Sequence, residues 1–276
     1  MPVRKRALLQ KFFADRGTHL AAMIAYYALV AFVPLTFLCL ALLGLVHRAD
    51  ASDFFVRQLE RAFPDSSVST ILKLLHSIQD NAAALGIIGG VFLLWSALGF
   101  FSALESAINI VYGRPNRSFL HGKALAAVLM IVSLFALFGA LVIGSFGAEA
   151  ARHYVPGLAH VYAVAYALSI AASLLGIFVF LVAIYASLPN LDIGLREALP
   201  GAVFASILLE ASFQILPLFV RHANLNVTLR AFGAPVLLLV WLYLMANVIV
   251  LGAELNWWVA RRRETSRAAE EIPGLA

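Results

Sequence analysis

Three long apolar runs of this chain each carry one carboxylate, and in each the neighbouring polar residues keep helical spacing. Ser102, Glu105 and Asn109 stand at i, i+3 and i+7. Ser206, Glu210, Gln214 and Pro217 follow at i, i+4, i+8 and i+11. Tyr243, Asn247 and Glu254 stand at i, i+4 and i+11, with Asn256 two residues beyond. On a helix these spacings put each set on one face. A carboxylate beside amides and hydroxyls can hold a proton or a cation, pair with a basic group, or tie one helix to another. An ionisable side chain at the centre of a membrane helix costs roughly 3 kcal/mol on insertion scales, so a working role is the first hypothesis for each acid. Each stripe should face other helices rather than lipid.

Depth separates the three acids. Counted at about 1.5 Å per residue, Glu210 falls near the middle of its run. Glu105 and Glu254 fall toward ends from which Arg114, Arg117, Arg196 or Arg261 can be reached. For those two an ion pair or cap that ties helices together is the simpler role. Glu210 has no Lys or Arg at its depth in any run. It must be protonated, hydrogen-bonded, hydrated or occupied by a cation, and both transport chemistry and neutral glue are open to it.

The elements that position these residues follow from composition. Hydrophobic residues make up 62% of the 276 and charged residues only 13%, with a mean hydropathy of +0.91. Soluble domains are about 45–50% apolar and about 25% charged, so the chain reads as an integral membrane protein. A bilayer core about 30 Å thick takes roughly 20 apolar residues of helix. Six runs qualify: about 20–46, 82–112, 124–148, 161–188, 198–220 and 234–260. Pro200 and Pro235 stand in the expected first turns of the last two, where a missing N–H costs nothing. The runs are continuous rather than alternating, which favours helices over a barrel. The predicted fold is all-α, a polytopic membrane protein with six transmembrane helices and an outer amphipathic loop segment between helices 1 and 2. In that segment Val68, Ile71, Leu72, Leu75 and Ile78 repeat at helical spacing after Pro64-Asp65-Ser66.

Thirteen of the Lys and Arg residues fall in the N-terminal segment, the second and fourth loops and the tail, and seven on the other side. The positive-inside rule then places both termini in the cytoplasm. The first run is longer than the h-region of about 7–15 residues in a cleaved signal and should stay as an anchor. Residues 1–19 form a basic amphipathic segment in which Leu8, Leu9, Phe12 and Phe13 share one side and the basic residues largely take the other. Such a helix would lie on the inner leaflet against anionic lipid headgroups. Residues 261–276 make a cytoplasmic tail. Ala140, Gly144 and Ala148 form a small-residue stripe suited to close helix packing.

Catalytic signatures are missing from the sequence. The seven His show no HxH or HExxH spacing, Cys39 is alone, and no GxxxxGK[ST] or GxSxG occurs. No metal, cofactor, enzymatic activity or nucleic-acid partner is therefore expected.

Four segments together, "AAMIAYYALVAFVPLTFLCLALLGLV" (21–46), "LLWSALGFFSALESAINIVYG" (93–113), "SLPNLDIGLREALPGA" (187–202) and "FGAPVLLLVWLYLMANVIVLGAELN" (232–256), resemble the YihY / virulence factor BrkB family of bacterial inner-membrane proteins. The match runs over about residues 5–260 in the same order. The resemblance implies a six-helix bundle with both termini inside. Family members were long labelled ribonuclease BN, but no nuclease site is found in this sequence. Transport of lipids or amphiphiles and cation/proton exchange are among the activities the resemblance implies.

The sequence thus leads to an inner-membrane transporter or exporter of a lipid or amphiphile, passive or ion-coupled. Tyr26, Tyr27, Pro34, Glu105, Asn109, Glu210, Gln214, Asn247, Glu254 and Asn256 would line its polar interior. The alternative is a membrane scaffold or envelope-integrity factor in which the same residues only lock helices together, and a ribonuclease is the remotest reading. A cavity reaching Glu210 from one face favours transport, and a fully packed bundle favours the scaffold. Partners would be membrane lipids, including anionic headgroups, and homo-oligomerisation is left open.

Overall fold

The computed structural model of the chain describes residues 8–45, 82–154, 159–222 and 227–271. The expected amphipathic segment at Val68–Ile78 lies outside them, as do the side chains of the small-residue stripe. Among the described residues all regular structure is helical. The helices are α1 (Leu8–Ala14), α2 (Gly17–Leu45), α3 (Ala82–Tyr112), α4 (Phe119–Tyr154), α5 (Ala159–Ser187), α6 (Leu195–His222) and α7 (Val227–Glu271). Five hold stretches long and apolar enough to cross a membrane, and in α2 the apolar stretch found is the shorter Gly17–Phe32.

The long helices form a ring. Among the described residues α2 packs extensively on α3 and α7, α7 on α6, and α6 on α5, while α4 rests on α3 and meets α5 only lightly. Among the described residues the α4–α5 contact is the thinnest around the ring. Small side chains line the tight contacts, with Ala21, Ala25, Ala202, Ala205 and Ala253 all buried. In lipid, apolar surface gains nothing from association as such, so close backbone approach must supply the attraction. Large apolar side chains such as Phe135, Val128 and Val203 point outward, as hydrocarbon solvent allows.

Local signals set the turns. α3 ends in a Schellman motif: the Gly113 N–H donates to Ile110 O and the Arg114 N–H to Asn109 O. Gly113 takes the left-handed conformation at φ 65 that this cap requires. Gly194 O caps α6 by accepting from the Glu197 and Ala198 N–H groups. Two helices begin earlier than their prolines suggested. Pro200 lies inside α6 and Pro235 well inside α7, because a bundle of neighbouring helices tolerates the freed carbonyls that isolated helices would not. At its other end α7 continues through Arg261–Arg263 to Glu271, so the described part of the expected tail is helical.

Candidate functional site at the basic end of the bundle

The end of the ring that carries α1, the α3–α4 and α5–α6 loops and Arg261–Arg263 is called here the basic end. At it, Lys11 of α1 points into the protein, buried at 7% exposure. Its ammonium donates to Asp15 Oδ2 at 2.5 Å, Glu254 Oε2 at 2.7 Å and Val111 O at 2.8 Å. The Trp257 ring lies 4.3 Å from the same nitrogen. One side chain thereby joins α1, α3 and α7. The amphipathic pattern had placed the basic residues of this helix on its lipid-headgroup side, and the turn that follows explains the difference. Arg16 adopts a left-handed φ of 57, and Gly17 leaves room for the Phe12 ring, which would stand 2.2 Å from a Cβ there. With Phe12 seated on Gly17, Lys11 and Phe12 face inward and Leu9 and Phe13 face outward.

A second node joins the two loops. The backbone carbonyls at the end of α5 have no intrahelical partners, and Pro189 brings no N–H of its own. The Arg117 guanidinium supplies donors instead. Its Nη1 donates to Leu188 O, and its Nη2 to Ser187 O at 3.2 Å and Pro189 O at 2.7 Å. Glu105 Oε1 accepts from both the Arg117 side chain and its backbone N–H at 3.4 Å. Asn109 Oδ1 accepts from the Asn190 N–H at 2.7 Å, and its Nδ2 donates to Asn116 Oδ1 at 3.1 Å. The "LPN" segment is thus a docking loop held by Arg117 and Asn109. Lysine cannot reproduce a planar fork over three carbonyls. Arg117→Lys is therefore expected to lower stability by about 2 kcal/mol, read as a fall in the thermal midpoint of the detergent-solubilised protein. An unchanged midpoint would show that the staple contributes nothing.

A third tie binds α6 to α7. Asn256 Oδ1 accepts the Gly201 N–H at 2.6 Å, and the Tyr185 hydroxyl of α5 donates to Ile249 O at 2.7 Å. Asn256 Nδ2 and Glu254 Oε1 are buried without a hydrogen-bond partner among the described residues.

The remaining sequence candidates lie apart from these ties. Glu210, 6% exposed, sits in the α5–α6 seam and accepts from the Ser173 hydroxyl at 2.6 Å and the Gln214 amide at 2.7 Å. Asn247 donates to Tyr243 O of its own helix at 2.7 Å. Pro34 is buried within α2. Tyr27 packs over Gly99, its ring 2.6 Å from where a Cβ would stand. Tyr26 is 56% exposed and faces outward, since neighbours on a helix point about 100° apart and cannot share one face. The ten candidates therefore do not line one continuous polar interior among the described residues.

A cavity of about 440 Å³ lies elsewhere. α2, α3, α4 and α5 line it with Ala31, Leu35, Leu93, Ala97, Phe101, Met130 and Phe180 among its walls and Ser133 as its polar wall residue. Glu210 does not line it. Sequence reasoning missed both this cavity and Lys11. Residue types do not reveal a void between apolar side chains, and Lys11 lies 243 residues from its partner. The one available signal for Lys11 was a lone Lys set between Leu8, Leu9 and Phe12, Phe13. Among the described residues no group of three or more His, Cys, Asp or Glu converges as metal ligands would.

Apolar helices ringed around small-residue contacts, with the ion pairs among the described residues at one end, define a helical multi-pass membrane protein. The profile of the virulence factor BrkB family matches residues 8–273, and the chain belongs to that family. It is 27% identical to the ribonuclease-like protein YfkH of Bacillus subtilis, over 94% of this chain and 96% of that one. It is 30% identical to a UPF0761 membrane protein of Azotobacter vinelandii, over 91% of this chain and 61% of the relative. For a UPF0761 membrane protein of Chromohalobacter salexigens the identity is 28%, with 94% and 63% covered. The chain thus spans under two thirds of the length of these UPF0761 relatives. No solved structure matches it.

Proposed function

We propose that the chain is a transporter of a membrane lipid or similar amphiphile, with the apolar part of the substrate held in the cavity beneath the α4–α5 seam. The cavity carries this reading. Its volume of about 440 Å³ falls within the range of about 300–1,000 Å³ usual for ligand pockets. Walls of Leu, Ala, Phe and Met suit hydrocarbon and offer a hydrated ion almost nothing. The thin seam gives an acyl chain a side entrance from the surrounding leaflet. The ties at the basic end favour a state closed on that side, which in this reading, by the positive-inside rule, faces the cytoplasm of a bacterial inner membrane. Glu210 lies apart from this cavity, met by neutral donors in the α5–α6 seam, so a proton or cation held there would couple to movement through α5 rather than at the substrate.

The test is reconstitution of the full chain into liposomes with a labelled phospholipid. Ala97→Phe, which fills the cavity, is expected to reduce lipid movement to the protein-free background, and Glu210→Gln to remove any dependence on an ion gradient. Movement by Ala97→Phe at the wild-type rate would reject the cavity as the path. A second reading, the non-transporting scaffold, is favoured by one observation: Glu105, Asn109, Glu254 and Asn256 each take part in a tie between elements. Wild-type liposomes that move no phospholipid would decide for it. The word ribonuclease belongs to the name of YfkH, and RNA cleavage by the purified chain above background would bring it to this one.

A further inference from the structure

Lys123 makes an unusual reach. A lysine in the first turns of a membrane helix ordinarily extends toward water. Here its ammonium donates instead to Ser102 Oγ at 2.9 Å. The Glu105 carboxylate already lies beside Gly122, 3.1 Å from where a Cβ would stand. Since α3 runs toward the basic end, Ser102 lies about one turn deeper than Glu105. The ammonium is therefore drawn inward, away from the basic end. Ser102 directly follows Phe101, a wall of the cavity, and on α4 Lys123 shares a face with the wall residues Met130 and Leu134 at i+7 and i+11. Neither Lys123 nor Ser102 lines the cavity, and the charge stands beyond its rim on the side of the basic end, one residue along α3 from Phe101 and about two turns along α4 from Met130.

That charge makes no ion pair among the described residues, the Glu105 carboxylate one turn from Ser102 being paired to Arg117. Among the described residues the ion pairs join Lys11 to Asp15 and Glu254, and Arg117 to Glu105, and Lys123 takes part in none. An ammonium has three donors. Ser102 takes one, and the Phe119 ring lies 5.9 Å away. A half-buried cation beside an apolar cavity, in a lipid solvent, matches an amphiphile with an anionic head.

We infer that Lys123 is the anion seat of a lipid site, in which an acyl chain of an anionic glycerophospholipid fills the cavity and its phosphate, beyond the cavity rim on the side of the basic end, meets the Lys123 ammonium beside Ser102. The inference rests on the lipid reading of the cavity and adds the headgroup. It also sets the orientation of the bound lipid: the head lies toward the basic end and the chain runs toward the middle of the bundle, as in the leaflet bordering that end.

The experiment compares dioleoylphosphatidylglycerol with dioleoylglycerol, which has the same chains and no phosphate, by titration against the full chain in a neutral detergent. Wild type is expected to bind the phosphate lipid about tenfold more tightly, the worth of one charge-assisted hydrogen bond. Lys123→Gln should bind both lipids alike, Lys123→Arg should keep the preference, and Ala97→Phe should weaken both. Lys123→Met gives the same readout if the glutamine variant folds poorly. Equal affinity of wild type for the two lipids overturns the inference without any variant. A preference that survives Lys123→Gln also overturns it and leaves the cavity reading standing, whereas wild-type binding of both lipids by Ala97→Phe removes the cavity reading itself.

Discussion

Replacing Lys11 by Met is expected to destabilise the bundle by about 3–5 kcal/mol, the usual result of removing one partner from a buried ion pair. All three ammonium donors are used, and the acceptors come from α3, α7 and the turn after α1. Without the ammonium, Glu254 remains at 0% exposure with both oxygens unpartnered, and Asp15 loses the cation that offsets it. The Val111 carbonyl, near the end of α3, loses a donor as well. Methionine preserves the length of the stem and its packing on Trp257, so the effect reports charge and hydrogen bonding rather than volume. A double-mutant cycle isolates the pair: Lys11→Met with Glu254→Gln should recover part of the loss, because a neutral amide tolerates burial better than a carboxylate. The measurements are the thermal midpoint in detergent and the rate of protease cleavage before Gly17. A Lys11→Met protein with the wild-type midpoint and an intact N-terminal segment would mean that α1 is not held by this node.

The contrast between Glu105 and Glu254 shows how far the sequence could be read. Counting residues puts both toward the end at which Arg117 meets Glu105 and Lys11 meets Glu254. Arg117 was within reach of Glu105 because only the short α3–α4 loop separates them. Lys11 could not be paired with Glu254 from the sequence, since nothing local states which end of the ring α1 returns to. The rotation of α1 was hidden for a related reason: it depends on Arg16 adopting a left-handed backbone and on Phe12 resting on Gly17, neither of which hydrophobic periodicity encodes. The all-α architecture was legible because the long apolar runs permit little else in lipid. Helix starts were less so, as Pro200 and Pro235 mark helix interiors once neighbours pack around them. For Glu210 the missing basic partner was visible in the sequence, while its Ser173 donor lies on another helix.

The α6–α7 contact yields the other large effect. A Cβ at Gly201 would stand 2.0 Å from Gly252 O and 2.7 Å from the amide group of Asn256. The first of these neighbours is backbone, which cannot swing aside, so Gly201→Ala forces the two helices apart. Overpacking alone costs about 1–3 kcal/mol. Separation also stretches the 2.6 Å bond from the Gly201 N–H to Asn256 Oδ1, and Asn256 is fully buried, which adds about 1–3 kcal/mol for an unsatisfied polar group. Gly252→Ala is the internal comparison. Its Cβ would stand 2.3 Å from the Tyr185 hydroxyl and 3.0 Å from both Ala205 Cβ and Gly201 O. Tyr185 can relieve part of that clash by tilting its ring, at the cost of its bond to Ile249 O. Both variants should therefore melt below wild type, with Gly201→Ala the lower of the two. The order carries the argument: a Gly201→Ala protein that melts at or above Gly252→Ala would mean that the backbone of α7 yields at this contact, and that the small residues of "LPGA" and "GAELN" do not set the spacing of the two helices.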